Sequence, residues 1–336
     1  MKNFGMSGGA QAKLYTLSSE GMSVCFTDLG CSLTSLLVPD RFGCMRDVAL
    51  GYGSAAGYMA GSSFVGATVG RYAGRIGGAR FSLGERSFEL EKNDGENHLH
   101  GGFGKRLFAA EEIRGGVKFS LVSPDMDEGF PGRLELSVSV TLKGRALRLV
   151  YEAVSDADTF INITNHSYFN LNGRGDIAGH VLRVNAKRYA ELGPGNIPTG
   201  ELLSVRGTPF DFTSRRPLME AIADPALAST RGLDHSFALE NEGRLVKACE
   251  LISPDSGIRL SCRTTQPSVH IYTAGFLDGD RAPFDKNGHG FERHGGVCLE
   301  TQHFPDSPNK KEFPSTLLKA GETYREITEF EFDIVK

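Results

Sequence analysis

The segment RLELSVSVTL, Arg133 to Leu142, places Leu134, Leu136, Val138, Val140 and Leu142 at every second position with polar residues between them. Successive side chains of a strand point to opposite faces, so this pattern specifies a β-strand with one buried face. RALRLVYEAVS repeats it after a turn at Lys143-Gly144, which predicts a hairpin. A second hairpin is expected in ARFSLGERSFELEKN around Leu83-Gly84-Glu85, and the tail TYREITEFEFDIVK alternates Phe330, Phe332 and Ile334 against acidic residues. Further strands are expected in MSVCFTDLG, CSLTSLLVP, GVKFSLVS, HVLRVNAKRY, LVKACELISP, GIRLSCRTT, SVHIYTAGF and GVCLETQ. Only SAAGYMAGSS and PLMEAIADP read as helices, each of a few turns at most. Gly and Pro punctuate the chain at short intervals, with no linker, repeat or low-complexity tract. The expectation is an all-β fold with few short helices, a large antiparallel β-sandwich built as a single domain over residues 1–336.

Composition narrows the function. A net charge of -4 supplies no basic field, which argues against nucleic acid and anionic membrane as partners. The six cysteines, Cys25, Cys31, Cys44, Cys249, Cys262 and Cys298, contain no C-x-x-C pair and fit reduced thiols in the cytoplasm. MKNFGMSGGAQAKLY has no apolar core of a secretory signal, and no run of about 18 apolar residues occurs. GMSGG, Gly5 to Gly9, matches G-x-S-x-G, but neither a preceding strand nor a following helix is expected there, so it is not a nucleophile elbow.

Four polar clusters interrupt the β pattern. In GRYAGRIGGARF, Arg71 and Arg75 lie among glycines, where backbone could approach a ligand; a surface turn with solvated arginines is the alternative. In KNDGENHLHGG, His98 and His100 would face the same way in a strand, the spacing of a recurrent metal-ligand pair. Gly95 and Glu111 are wrongly spaced to complete such a site, so no metal is expected, and one ligand-contacting and one structural histidine are the reading. FINITNHSYFNLNG, Phe160 to Gly173, opens as core and then carries Asn165, His166, Ser167, Tyr168, Asn170 and Asn172. An unpaired buried polar group costs about 1–3 kcal/mol, so these residues either close a network or line a polar cavity. In GVCLETQHFPDSPN, Glu300 follows a buried strand at once, a place for a general base or for an edge salt bridge.

Taken in order, GRYAGRI, NHLHGG, TNHSYFNLNG, GLDHSF, TTQPSVHIYTAGF and ETQHFPDSPN resemble the aldose 1-epimerase (galactose mutarotase) family, from position 70 to about 309. The resemblance implies the family's large β-sandwich, the galactose mutarotase-like supersandwich, with a monosaccharide in an open cleft on one sheet. It implies Glu300 as general base, His166 as general acid, and Arg75, His100 and Asp234 as residues that hold sugar hydroxyls, with Tyr168 beside them. Two positions depart from the family pattern. Gly74 stands where Asn is usual, and His270 stands where Gln is usual; both positions contact sugar in the family, so the departures bear on sugar preference. Anomer interconversion by ring opening and closure needs an acid and a base that each work in both directions near neutral pH, and no cofactor. A monomer or homodimer is expected. A non-catalytic sugar-binding module and an epimerase of phosphorylated hexoses are the alternatives; the second would need several converging basic groups.

Overall fold

The computed structural model describes residues 1–282 and 284–335. Its architecture follows from the alternating segments. The Leu134–Lys143 and Ala146–Ser155 strands pair in register, Lys143 opposite Ala146, so the turn is Gly144-Arg145, one residue beyond the expected pair. Leu134, Leu136, Val138, Val140 and Leu142 are all buried, as the pattern requires. Burying a side chain of this size contributes about 1.5–3 kcal/mol. This hairpin belongs to a nine-stranded antiparallel sheet. Thr323–Ile334 lies within that sheet between Ala146–Ser155 and Ile258–Thr264, so the end of the chain joins strands from its two halves.

A six-stranded antiparallel sheet packs against it, in the order Tyr168–Phe169, Val297–Gln302, Ser268–Tyr272, Asp234–Ala238, Arg188–Leu192 and Pro198–Ser204. Val269, Ile271, Phe237, Val297 and Leu299 enter one core with Phe330 and Phe332 of the larger sheet. Phe169 meets those two rings at centroid distances of 5.1 and 6.4 Å. A five-stranded sheet is formed by residues 2–47. The two helices, Ala55–Ala60 and Leu218–Ile222, lie in the two segments that read as helical. Among the described residues no helix is long and apolar enough to cross a membrane.

Three expectations need correction. HVLRVNAKRY is two strands in different sheets: Val181–Val184 joins the nine-stranded sheet and Arg188–Leu192 the six-stranded one. Asn185 makes the corner, donating its backbone N–H to Ala248 O and its side-chain amide to Lys247 O, both at 2.8 Å. Lys2–Ser7 and Ala10–Ser19, not expected as strands, form the first hairpin, and the G-x-S-x-G match lies on its Gly8-Gly9 turn with no helix after it. Positive φ at both turn residues, 55° and 85°, explains the glycines.

The Arg71 side chain is neither solvated nor turned toward the cleft. It is 1% exposed, and its guanidinium donates to Pro131 O at 2.8 Å, Gly132 O at 2.9 Å and Ser123 Oγ at 2.6 Å. The cation thereby ties the loop at 70–75, which supplies Gly74 and Arg75, to the end of the Gly116–Ser123 strand. Arg71→Met should cost at least about 3 kcal/mol of stability, because several buried acceptors lose their donor together. Denaturant melts check this; a loss below about 1 kcal/mol would show that water replaces the guanidinium.

Candidate active site

The Val297–Gln302 strand determines the floor of the site. Val297 and Leu299 point into the inter-sheet core, so period-2 geometry turns Glu300 and Gln302 to the other face. Pairing extends that face into rows. Glu300 stands opposite His270, and His270 opposite Ser236; Cys298 stands opposite Tyr272, and Tyr272 opposite Asp234. Loops carrying Phe64, Gly74, Asp94 and His100, with Arg75 at the start of a two-residue strand, wall this face into a cleft of about 420 Å³. Every one of the expected site residues lines it: Gly74, Arg75, His100, His166, Tyr168, Asp234, His270 and Glu300.

Glu300 is on an interior strand, not an edge, and is 2% exposed. Its Oε1 lies 3.6 Å from His166 Nε2, and its Oε2 is buried without a hydrogen-bond partner. His166 sits between the short Thr164–Asn165 and Tyr168–Phe169 strands, held by its backbone N–H donating to Ala67 O at 2.8 Å and its carbonyl accepting from Gly66 N at 2.9 Å. The Cys298 thiol lies 3.5 Å from its Nδ1. Tyr168 packs beside His166 with ring centroids 5.1 Å apart and the planes tilted by 43°, and its hydroxyl donates to Ser63 O at 3.0 Å.

The asparagines of the same segment close a structural network and do not line the cleft. Asn162 donates to Ala73 O at 2.9 Å and accepts from His303 N at 2.9 Å. Asn165 donates to Gly66 O at 2.8 Å and accepts from Ser167; Asn170 donates to Gly175 O at 2.8 Å and Gly295 O at 3.0 Å. Both readings of this stretch therefore hold, divided between residues: the amides are satisfied within the protein, largely by backbone, and His166 and Tyr168 face the cavity.

His98 and His100 do not act as a same-face pair. The strand ends at Leu99, and His100 adopts a left-handed conformation with φ 62°, which breaks the alternation. His98 turns into protein, its Nδ1 2.7 Å from Glu91 O and its ring against Phe130. His100 Nδ1 accepts from Gly74 N at 3.1 Å, which places the proton of the neutral ring on Nε2. Burial, then the charges of His166, Arg75 and His270, hold His100 well below the ordinary imidazole range, so it is a neutral donor. Gly74 has φ 79°, and a Cβ there would meet Pro305 Cγ at 2.8 Å, so this loop accommodates glycine. Arg75 donates from Nε to Asp94 Oδ2 at 2.7 Å.

Asp234 and His270 form an ion pair, Nε2 to Oδ1 at 2.8 Å. Burial opposes both charges, but the mutual hydrogen bond and attraction outweigh it. Asp234 is held at about 2, helped by Arg75, and His270 is raised above its ordinary value, helped by Glu300.

Gln302, Ser236, Tyr272, Asp94 and Phe64 also line the cleft and were not singled out from sequence. Gln302 and Ser236 lie two residues from Glu300 and Asp234, so strand parity could have found them. Asp94 and Phe64 arrive on loops and carry no comparable signal.

The aldose 1-epimerase family profile matches residues 13–331. The chain belongs to the aldose 1-epimerase family. It is 40% identical to the galactose mutarotase of Mus musculus over 334 residues, covering 98% of this chain and 96% of that protein. It is 38% identical to the aldose 1-epimerase of Haemophilus influenzae over 340 residues, covering 98% of each. The fold superimposes on an aldose epimerase homologue from C. elegans with TM-score 0.90 and 27% identity, covering 97% of this chain and all of that one.

Within this family member, His100, His166 and Glu300 offer donor atoms within 4.8 Å of one another. The set fits a metal poorly, because the His100 lone pair at Nδ1 is engaged by Gly74 and its Nε2 carries the proton. Dialysis against EDTA should therefore leave turnover unchanged. Inactivation reversed by zinc or manganese would contradict that reading of the cluster.

Proposed function

We propose that the protein is an isomerase, an aldose 1-epimerase that interconverts the α and β anomers of free aldohexoses such as galactose and glucose. The observation that carries this reading is the Glu300 carboxylate. Its Oε2 is buried and unpartnered on the cleft floor, with the His166 Nε2 beside its other oxygen. An unpaired buried acceptor costs stability. A sugar hydroxyl would supply the missing donor.

The chemistry follows from that placement. The anomeric hydroxyl and the ring oxygen are bonded to the same carbon, so a base and an acid must reach points a few ångströms apart. Glu300 accepts the proton of the C1 hydroxyl while His166 delivers a proton to the ring oxygen, and the bond from C1 to the ring oxygen breaks. Rotation about C1–C2 presents the other face of the aldehyde. On closure the ring hydroxyl returns its proton to His166, and Glu300 returns its proton to the C1 oxygen. The separation of 3.6 Å leaves the two groups to tighten on substrate rather than on each other. His100 Nε2–H and Arg75 act as donors to sugar hydroxyls, and Asp234 as an acceptor. Tyr168 contributes a rigid wall, its hydroxyl being engaged by Ser63.

The cleft suits an uncharged ligand. Arg75 is the one Arg or Lys among its lining residues and is paired with Asp94; Asp94, Asp234 and Glu300 bring three carboxylates. A phosphorylated hexose would find no cluster of converging Arg or Lys side chains to receive its phosphate. The family match over nearly the whole chain supports one catalytic domain, and the six free thiols support a cytoplasmic location.

Polarimetry on freshly dissolved α-D-galactose and α-D-glucose tests the proposal directly. The wild type should accelerate the approach to anomeric equilibrium for at least one of them. Glu300→Gln should lower kcat by about 10²–10⁴ without changing the melting temperature, since it removes the proton acceptor and little else. His166→Asn should lower kcat on a similar scale and weaken binding less. Near-normal kcat in folded Glu300→Gln would remove Glu300 as the base.

A further inference from the structure

His270 lines the cleft, yet its ring has no nitrogen left for a sugar. Nδ1 lies 2.9 Å from Ser236 Oγ and Nε2 lies 2.8 Å from Asp234 Oδ1. Each ring nitrogen supports one hydrogen bond, so both are engaged by protein. Register makes the arrangement rigid. His270 stands directly across from Ser236 on one neighbouring strand and from Glu300 on the other, and Asp234 is two residues before Ser236 on the same face. Asp234, by contrast, takes one side-chain hydrogen bond at Oδ1 from His270, which leaves Oδ2 to accept from a ligand.

We propose that His270 is a positioning residue, which with Ser236 fixes the Asp234 carboxylate so that its second oxygen accepts a sugar hydroxyl. The inference rests on reading the cleft as a sugar site and adds a role for a residue that does not itself bond the sugar. The chain Ser236–His270–Asp234 tolerates a change of protonation. As imidazolium, the ring donates to both partners. As the neutral ring, it keeps Nε2–H on Asp234 and accepts the Ser236 hydroxyl at Nδ1. The groups that act on it are Asp234 and Ser236 on one side, Glu300 on the other, and Arg75 and His100 across the cleft. Burial disfavours the cation, as does Arg75, and the two acids favour it, with a net upward displacement. Asp234 stays ionised down to about 2.

Titration calorimetry with D-galactose, which reads affinity independently of turnover, tests this in a double-mutant cycle. His270→Phe should weaken binding about tenfold in the wild-type background and less than twofold in an Asp234→Asn background. Ser236→Ala should behave the same way with a smaller loss. His270→Gln should restore most of the affinity, because an amide can donate to Asp234 and accept from Ser236 together. Losses that multiply in the double variants would overturn the proposal, as would unchanged affinity in Asp234→Asn or His270→Phe, or a His270→Gln variant that binds no better than His270→Phe. Polarimetry on the wild type decides the epimerase reading separately: an inactive protein with the non-additive affinity pattern sinks that reading and supports the positioning role.

Discussion

The ladder register of the six-stranded sheet is the constraint on which the site depends. Shifting one strand by a single residue would turn every side chain to the opposite face. Such a slip would expose Leu299, Ile271 or Phe237, which are packed against the larger sheet, and would bury Glu300, His270 or Ser236 in an apolar core. The hydrophobic core therefore holds the polar face in place. Catalytic geometry of this kind needs side chains fixed to within a fraction of an ångström, and strands paired on both sides provide that better than loops.

Buried polar groups around the cleft are of two kinds. The amides of Asn162, Asn165 and Asn170 and the guanidinium of Arg71 bond to backbone and hold loops in position around the cleft. Glu300 Oε2 and Gln302 Oε1 are buried without partners and lie on residues that line it. Lack of a partner alone does not mark a site, because His180 Nδ1 and His303 Nδ1 are also unpaired and neither residue lines this cleft. Convergence on one cavity separates the functional cases from the structural ones.

Charge in the cleft is organised in pairs. Arg75 with Asp94 and His270 with Asp234 each neutralise locally, and His100 is kept neutral by its buried, cationic surroundings. The balance leaves directional donors and acceptors with little net field, which matches a hydroxyl-rich neutral ligand and follows the mildly acidic balance of the whole chain.

Much of this was legible in the sequence. Alternation alone specified the Leu134–Ser155 hairpin, the C-terminal strand and an all-β fold, because a side-chain period of two has one structural meaning when the apolar set must be buried. The resemblance carried by NHSYFNL and ETQHFPDSPN picked out residues that all reach one cleft. Tertiary structure decided the rest. HVLRVNAKRY keeps one pattern across two sheets, since both sheets bury the same kind of side chain and only the Asn185 corner distinguishes them. Arg71 and Arg75 occupy similar glycine-rich surroundings in sequence, yet one is a buried strut and the other lines the cleft. His270 carries no sign in sequence that Ser236 and Asp234 engage both its nitrogens. Local sequence fixes which face of a strand a residue occupies; its neighbours across the sheet fix which of its hydrogen bonds remain free, and that depends on pairing between segments distant in the chain.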